Sequence, residues 1–236
     1  MIDKRCATAA DAVADIFDGA TILVGGFGAA GSPIELLHAL IDQGARDLTL
    51  VNNNTGAGHV GLAALIELGR VAKMICSFPR TANSTVFQEK YGRGEIDLEL
   101  VPQGTLAERI RAGGAGIPAF YTPTGVDTVL AKGKETRVFD GREYVLERGL
   151  KADFALIKCS RSDRYGNLVY NKTARNFAPI MATAATTTIA QTQSYVEAGM
   201  IDPETVVTPG IYVHRIVTIT QAAQEATLVA SGACYP

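Results

Sequence analysis

The stretch Gly25-Gly26-Phe27-Gly28-Ala29-Ala30-Gly31-Ser32-Pro33 decides the fold, because the apolar strand pattern at residues 21–24 ends there and a helical pattern begins just beyond it. Glycines without a Cβ let the main chain take positive φ and bring its N–H groups close to a ligand oxygen. Ser32 is placed to cap the next helix, with Pro33 in the first helical position and Glu35 completing a capping box. A strand, a glycine turn and a helix N-terminus in that order give several donors one target, an anion or another electron-rich atom.

Gly26 to Gly31 also fits the G-x-G-x-x-G of dinucleotide-binding folds and lies between strand and helix as that motif requires. Such a site needs an acidic residue at the end of the next strand to hold the ribose hydroxyls. Here that strand, residues 48–51, runs into Asn52-Asn53-Asn54, while Asp47 stands before it, at the wrong end of the sheet. The fingerprint permits an NAD-binding oxidoreductase and the missing acid disfavours one. A tight turn with no ligand is the plainer alternative.

Working outward, apolar residues recur at helical spacing over residues 7–17, 34–41, 60–68, 84–91 and 106–112, the last behind a second capping box of Thr105 and Glu108. Between them lie strand patterns at 21–24, 48–51, 73–78 and 98–101. This alternation predicts an α/β fold, a mostly parallel sheet with helices on both faces, in a single domain over residues 1–236. Residues 136–139, Asp140-Gly141 and residues 142–146 predict a β-hairpin decoration, since Asp-Gly supplies positive φ. Residues 113–118 and 121–125 read as a turn-rich segment that covers a crevice or meets a partner chain. Strand patterns resume at 155–158 and 188–190, with a helix after Asn176 between them, and residues 221–236 read as helix, then loose tail.

In a parallel sheet, ligands collect at the carboxyl ends of the strands. That edge should carry the glycine turn, the loop Asn52 to Gly58, Ser77-Phe78-Pro79-Arg80 and Pro102-Gln103-Gly104. Backbone donors, the amides of Asn52, Asn53 and Gln103, and the cations Arg80 and Arg109 would then meet near one crevice able to hold an acyl oxyanion. Asparagines as plain turn formers and Arg80 as a solvated charge are the alternatives.

Composition narrows the function. Among 236 residues, 47% are hydrophobic, ample for a core, and 22 basic against 24 acidic residues leave a net charge of −2. No basic block supports a nucleic-acid surface, and no apolar run reaches the ~18 residues of a membrane span. Cys6, Cys76, Cys159 and Cys234 form no C-x-x-C pair, so reduced thiols and a cytoplasmic location are expected. A phosphate-binding G-x-x-x-x-G-K-[ST] and a nucleophile elbow G-x-S-x-G are both absent. His38, His59 and His214 fall in unrelated contexts, His38 in a helix pattern where packing suits it better than ligation, and no metal site is expected.

Val24-Gly25-Gly26-Phe27-Gly28, Val51-Asn52-Asn53, the run from Val101 to Arg111, the run from Lys172 to Phe177 and Thr208-Pro209-Gly210 together resemble the A subunit of bacterial class I 3-oxoacid CoA-transferases, over nearly the whole chain. Ser77-Phe78-Pro79-Arg80, with Ala57-Gly58 ahead of it, looks more like the 3-oxoadipate enzymes than the succinyl-CoA:acetoacetate ones.

The resemblance implies CoA transfer from succinyl-CoA to 3-oxoadipate through a glutamyl-CoA thioester, with coenzyme A thioester as substrate and no tightly bound cofactor. It implies that the nucleophilic glutamate sits in a Ser-Glu-Asn-Gly stretch of a B subunit, so that this chain has no catalytic residue of its own and works in an A2B2 heterotetramer. Glu147-Arg148-Gly149 and Glu197-Ala198-Gly199 only imitate that stretch. By the same resemblance Gly25, Gly26, Phe27, Gly28, Ala29, Ala30 and Gly31 bind CoA, and Asn52, Asn53 and Gln103 line the acyl site. Arg80, at a strand end beside Pro79, is expected to hold the distal carboxylate shared by succinyl and 3-oxoadipyl groups. The remaining rivals are a sugar-phosphate isomerase, one chain of a succinyl-CoA:acetoacetate transferase, and a non-catalytic ligand-binding subunit.

Overall fold

The strands at the middle of the molecule are apolar on both sides, as a parallel sheet covered on two faces requires. The computed structural model describes residues 2–81 and 83–235. Its elements run α1 (Ala9–Val13), β1 (Thr21–Val24), α2 (Ile34–Gln43), β2 (Leu48–Val51), α3 (Gly61–Glu67), β3 (Val71–Cys76), α4 (Val86–Gly92), β4 (Asp97–Leu100) and α5 (Gln103–Gly114). They continue as β5 (Ala119–Thr122), β6 (Thr136–Phe139), β7 (Arg142–Arg148), β8 (Ala152–Ser162), β9 (Leu168–Val169), α6 (Ala178–Ala184), β10 (Ala185–Tyr195), β11 (Arg215–Thr218) and α7 (Glu225–Ala230).

The large sheet has the order β11-β10-β8-β1-β2-β3-β4, and every neighbouring pair along it is parallel. Only the short β9 joins antiparallel, against the end of β8. Successive side chains of a strand face opposite ways, and the burial follows suit. Ile22 and Val24 of β1 join Leu36, Leu40 and Leu65 in one core under α1 to α4. Leu23 joins Leu106 and Ile110 of α5 and Met181 of α6 in the other. Helices therefore cover both faces.

Strands β1 to β4 step outward in one direction, and β8, β10 and β11 step outward in the other. The reversal falls between β1 and β8, where the loops at the carboxyl ends diverge and leave a crevice. The glycine turn follows β1 directly, and Gly25 N donates to Leu156 O of β8 at 2.8 Å. Sheet topology thus sets the turn at the carboxyl edge of the sheet, beside the reversal of strand order.

Several local expectations are corrected. The first helix is shorter than residues 7–17: Thr8 and Asp11 form its capping box, and beyond Val13 the carbonyl of Ala12 is taken by Arg215 Nη1 at 2.9 Å. Ser32 does not cap α2, which starts at Ile34 behind Pro33 with no side-chain cap. Glu35 is drawn away instead, accepting from Gln191 Nε2 and from Ala223 N. Thr105 is not a cap either: α5 begins at Gln103 behind Pro102, leaving the Thr105 hydroxyl buried without a partner among the described residues and Glu108 paired with Arg111.

The expected turn-rich segment is more regular than its composition suggests. Gly113 and Gly114 end α5, where their missing side chains let Leu150 O and Thr183 approach. Residues 119–122 form β5, which pairs with β7, so the expected hairpin belongs to a three-stranded antiparallel sheet, β5-β7-β6. Its Asp140-Gly141 turn has φ of 48° and 75°, as the dipeptide implied. Strands β5, β9 and β11 have no counterpart among the expected strands.

Candidate functional site

Two cavities open at the carboxyl edge of β1, β2 and β3. One, of about 530 Å³, is lined by Phe27, Gly28, Asn53, Ser77, Phe78, Arg80 and Gln103 among others. The second, of about 500 Å³, runs from Gly28, Ala29 and Ala57 to Val229 and Ala230 of the C-terminal segment. Gly28, Asn54 and Thr81 line both, so the tip of the glycine turn divides one continuous cleft.

Four of the seven main-chain donors from Gly25 to Gly31 are already taken, two of them within the turn. Phe27 N donates to Ala30 O at 3.0 Å and Ala30 N to Phe27 O at 3.2 Å, closing a two-residue turn with Gly28 at φ 58° in its first position. Gly26 N donates to Asn176 Oδ1 at 3.2 Å. Among the described residues, the N–H groups of Gly28, Ala29 and Gly31 have no acceptor. Gly28 and Ala29 form the tip between the two cavities. The array of donors is therefore narrower than the glycine count suggested.

The asparagines divide as sharply. Asn52 is buried with both ends of its carboxamide committed: Nδ2 donates to Val24 O at 2.7 Å, and Oδ1 accepts from Asn54 N at 2.8 Å. It splints the loop after β2 to the end of β1 and lines neither cavity. Asn53 faces the cleft. Its Oδ1 accepts from Ser77 Oγ at 2.8 Å and its carbonyl from the N–H groups of Ser77 and Phe78. Its Nδ2 has no partner among the described residues.

Gln103 reaches the same cavity because α5 starts earlier than its apolar pattern suggests. Arg80 is exposed at the cavity's edge and forms no ion pair among the described residues. Arg109, expected nearby, is elsewhere: its guanidinium pairs with Glu99 at 2.7 Å and donates to Arg148 O. His38 is packed, with Nε2 accepting from Gly61 N and its ring 4.2 Å from that of Tyr235. Burial lowers its pKa. Glu147 is buried against Lys134 in β7, and Glu197 stands in a turn; neither lines the cleft.

Two features escaped the sequence reading. The C-terminal segment, expected to end loose, walls the second cavity through α7 and returns Tyr235 to the core. Glu225, at the start of α7, is buried, and burial pushes its pKa up to about 7 against the opposing influence of Ser32 and the N–H of Ala57. The other feature is Asn176, whose contact with the glycine turn spans 150 residues of chain and leaves no local signal. Among the described residues no cluster could hold a metal ion, and no helix is long and apolar enough to cross a membrane.

The family model for coenzyme A transferase matches residues 6–218. Over 223 residues the chain is 59% identical to the A subunit of the 3-oxoadipate CoA-transferase of Pseudomonas putida, covering 94% of this chain and 96% of that one. Over 214 residues it is 50% identical to the A subunit of the probable succinyl-CoA:3-ketoacid coenzyme A transferase of Bacillus subtilis, covering 91% and 89%.

Among solved structures, the acyl-CoA transferase YdiF of Escherichia coli O157:H7 superposes with a TM-score of 0.84 at 24% identity, over 94% of this chain and 48% of that one. The chain thus spans about half the length of YdiF. Glutaconate coenzyme A-transferase of Acidaminococcus fermentans gives 0.81 at 22% identity, over 95% and 77%. At these identities the two structures speak for the fold alone. With a family match over nearly all of its length and relatives half identical or better, this chain, whose free backbone donors stand at the switch point of a parallel sheet, belongs to the coenzyme A transferase family.

Proposed function

We propose that the chain is the A subunit of a two-subunit transferase that moves CoA from succinyl-CoA to 3-oxoadipate, with the reacting glutamate supplied by a B subunit in an A2B2 assembly. The observation that carries this reading is chemical. Free donors and amides gather around a cleft of acyl size, yet no Asp or Glu lines either cavity among the described residues. A site that can hold an acyl oxyanion but offers no carboxylate is half of a CoA-transfer site.

In the proposed reaction, a partner carboxylate attacks the thioester carbonyl of succinyl-CoA, and the C–S bond breaks to release the CoA thiolate. That thiolate attacks the glutamyl carbonyl of the resulting anhydride and expels succinate, leaving glutamyl-CoA. 3-Oxoadipate reverses both steps and departs as its CoA thioester. Each addition places negative charge on a carbonyl oxygen, where the N–H groups of Gly28 and Ala29 and Asn53 Nδ2 act. A well-aimed donor there stabilises the transition state by about 3 kcal/mol. Gln103 flanks the acyl group, Gly25 to Gly31 seats the CoA thioester, and Asn52 keeps the loop after β2 in place.

The Pseudomonas putida relative supports 3-oxoadipate as acceptor by its name and its 59% identity. Arg80 supports it independently, since a cation at the cleft edge suits an acceptor with a second carboxylate. The decisive experiment assays this chain and its B partner, each by itself and then mixed, with succinyl-CoA and either 3-oxoadipate or acetoacetate. Transfer in the mixture only, faster to 3-oxoadipate, is expected. Transfer by the isolated chain sinks the reading.

A further inference from the structure

We propose that Asn176 is a positioning residue for the transfer, its carboxamide clamping the base of the Phe27–Ala30 turn and so aiming the free N–H groups of Gly28 and Ala29 at the cleft. The proposal deepens the function given above and rests on it.

Asn176 makes four hydrogen bonds with one side-chain amide. Oδ1 accepts from Gly26 N at 3.2 Å and from Phe177 N at 2.7 Å. Nδ2 donates to Ala30 O at 3.0 Å and to Ala174 O at 2.9 Å. Both oxygen contacts are N–H groups and both nitrogen contacts are carbonyls, so the amide has only one orientation that satisfies them. Gly26 and Ala30 flank the turn on its two sides. Holding both fixes the plane of the turn and hence the direction of its tip.

The backbone of Asn176 has φ 28° and ψ −118°, outside the usual left-handed basin and costly for a residue with a Cβ. Such strain persists where surrounding contacts enforce it. Here the enforcing contacts are those to the glycine turn, and the turn closes on the clamp in return: a Cβ at Gly31 would overlap Ala174 O and Asn176 Nδ2. The short helical turn Lys172–Arg175 ends at this residue and brings its side chain across.

The test compares wild type, Asn176→Ala and Asn176→Gly, each mixed with the B subunit. Glycine tolerates the strained backbone and alanine does not, so the glycine variant should melt higher than the alanine variant. The clamp, however, is lost in both. We expect kcat to fall about 10–100-fold in both while KM for succinyl-CoA changes less than about threefold, because the misaimed donors act on charge that develops in the transition state.

A kcat that recovers along with the melting temperature in Asn176→Gly, or a loss confined to KM, overturns the proposal. If the wild-type mixture transfers no CoA, the function above fails, and the clamp is judged separately by amide hydrogen exchange at Gly26 and Phe27. Exchange faster by about tenfold or more in Asn176→Gly supports it, and unchanged rates overturn it.

Discussion

Phe27-Gly28-Ala29-Ala30 and Phe139-Asp140-Gly141-Arg142 are both two-residue turns closed by a paired residue at each side of their base, and both use positive φ to turn the chain. Both are exposed throughout, and a Cβ on Gly28 or on Gly141 would meet nothing within 4 Å; they differ in what stands beside them. The second closes the end of β6 and β7 and lines neither cavity. The first is clamped from behind by Asn176, stands at the reversal of strand order and divides a cleft. Free N–H groups in the second turn meet water, which satisfies them at no gain. In the first they stand at the lip of the cleft, where an acyl group that displaces water would make a hydrogen bond to developing charge worth more. Turn chemistry alone makes no site; the cleft beside it and the clamp behind it do.

The largest effect that would break the contrast comes from adding one methyl to each turn region. Gly31→Ala, with φ 79° and no room for a Cβ, should cost on the order of 3 kcal/mol and reduce CoA transfer by about 100-fold or more, read by thermal melting and by kcat in the A–B mixture. Retained activity would mean that the first turn is no more demanding than the second.

Arg80→Ala sharpens the comparison on the cleft side. Loss of a charge-assisted contact should raise KM for 3-oxoadipate about 10–100-fold and leave acetoacetate nearly unchanged. Equal losses on both acceptors would discard its role.

Next in size is the wall behind the first turn. Glu225 has its folded-state pKa raised from the ordinary 4.5 to about 7, chiefly by burial, with Ser32, the N–H of Ala57 and Lys158 opposing. The folded protein therefore holds this proton more tightly than the unfolded chain. The sign follows: stability is greatest below pH 4.5 and falls as pH rises to about 7, by about 3 kcal/mol for this group. Glu225→Gln should flatten the difference in melting temperature between about pH 5 and pH 8, on either side of that titration, and an unaltered pH profile would count against the buried carboxyl as its source.

The smallest effect belongs to the second turn. Gly141→Ala meets no atoms but takes φ 75°, so about 1 kcal/mol of stability should be lost, a few degrees in melting temperature, with transfer unaffected.

Much of the fold was legible because it rests on short-range patterns. Residues 21–24 and 48–51 matched β1 and β2 residue for residue, since short apolar runs bounded by glycine or asparagine need no distant partner to be recognised. Caps were misread for a related reason: Ser32 and Thr105 have the right spacing, but Pro33 and Pro102 set the helix starts, and Glu35 found a partner in the C-terminal segment.

At the site, sequence alone determined which chemical groups are available: a glycine turn after the first strand, amides after the second, an arginine after the third and a glutamine after the fourth. Tertiary structure decided which of them are free. Asn52 is consumed and Asn53 is open, though they are neighbours of the same type, because one carboxamide reaches the carbonyls at the end of β1 and the other faces the cleft. Asn176 acquires its place only because β8 and β1 are adjacent in the sheet and the chain beyond β8 folds back on the turn. Hydrogen bonds between residues so far apart in the chain are products of packing, and packing has no local signature.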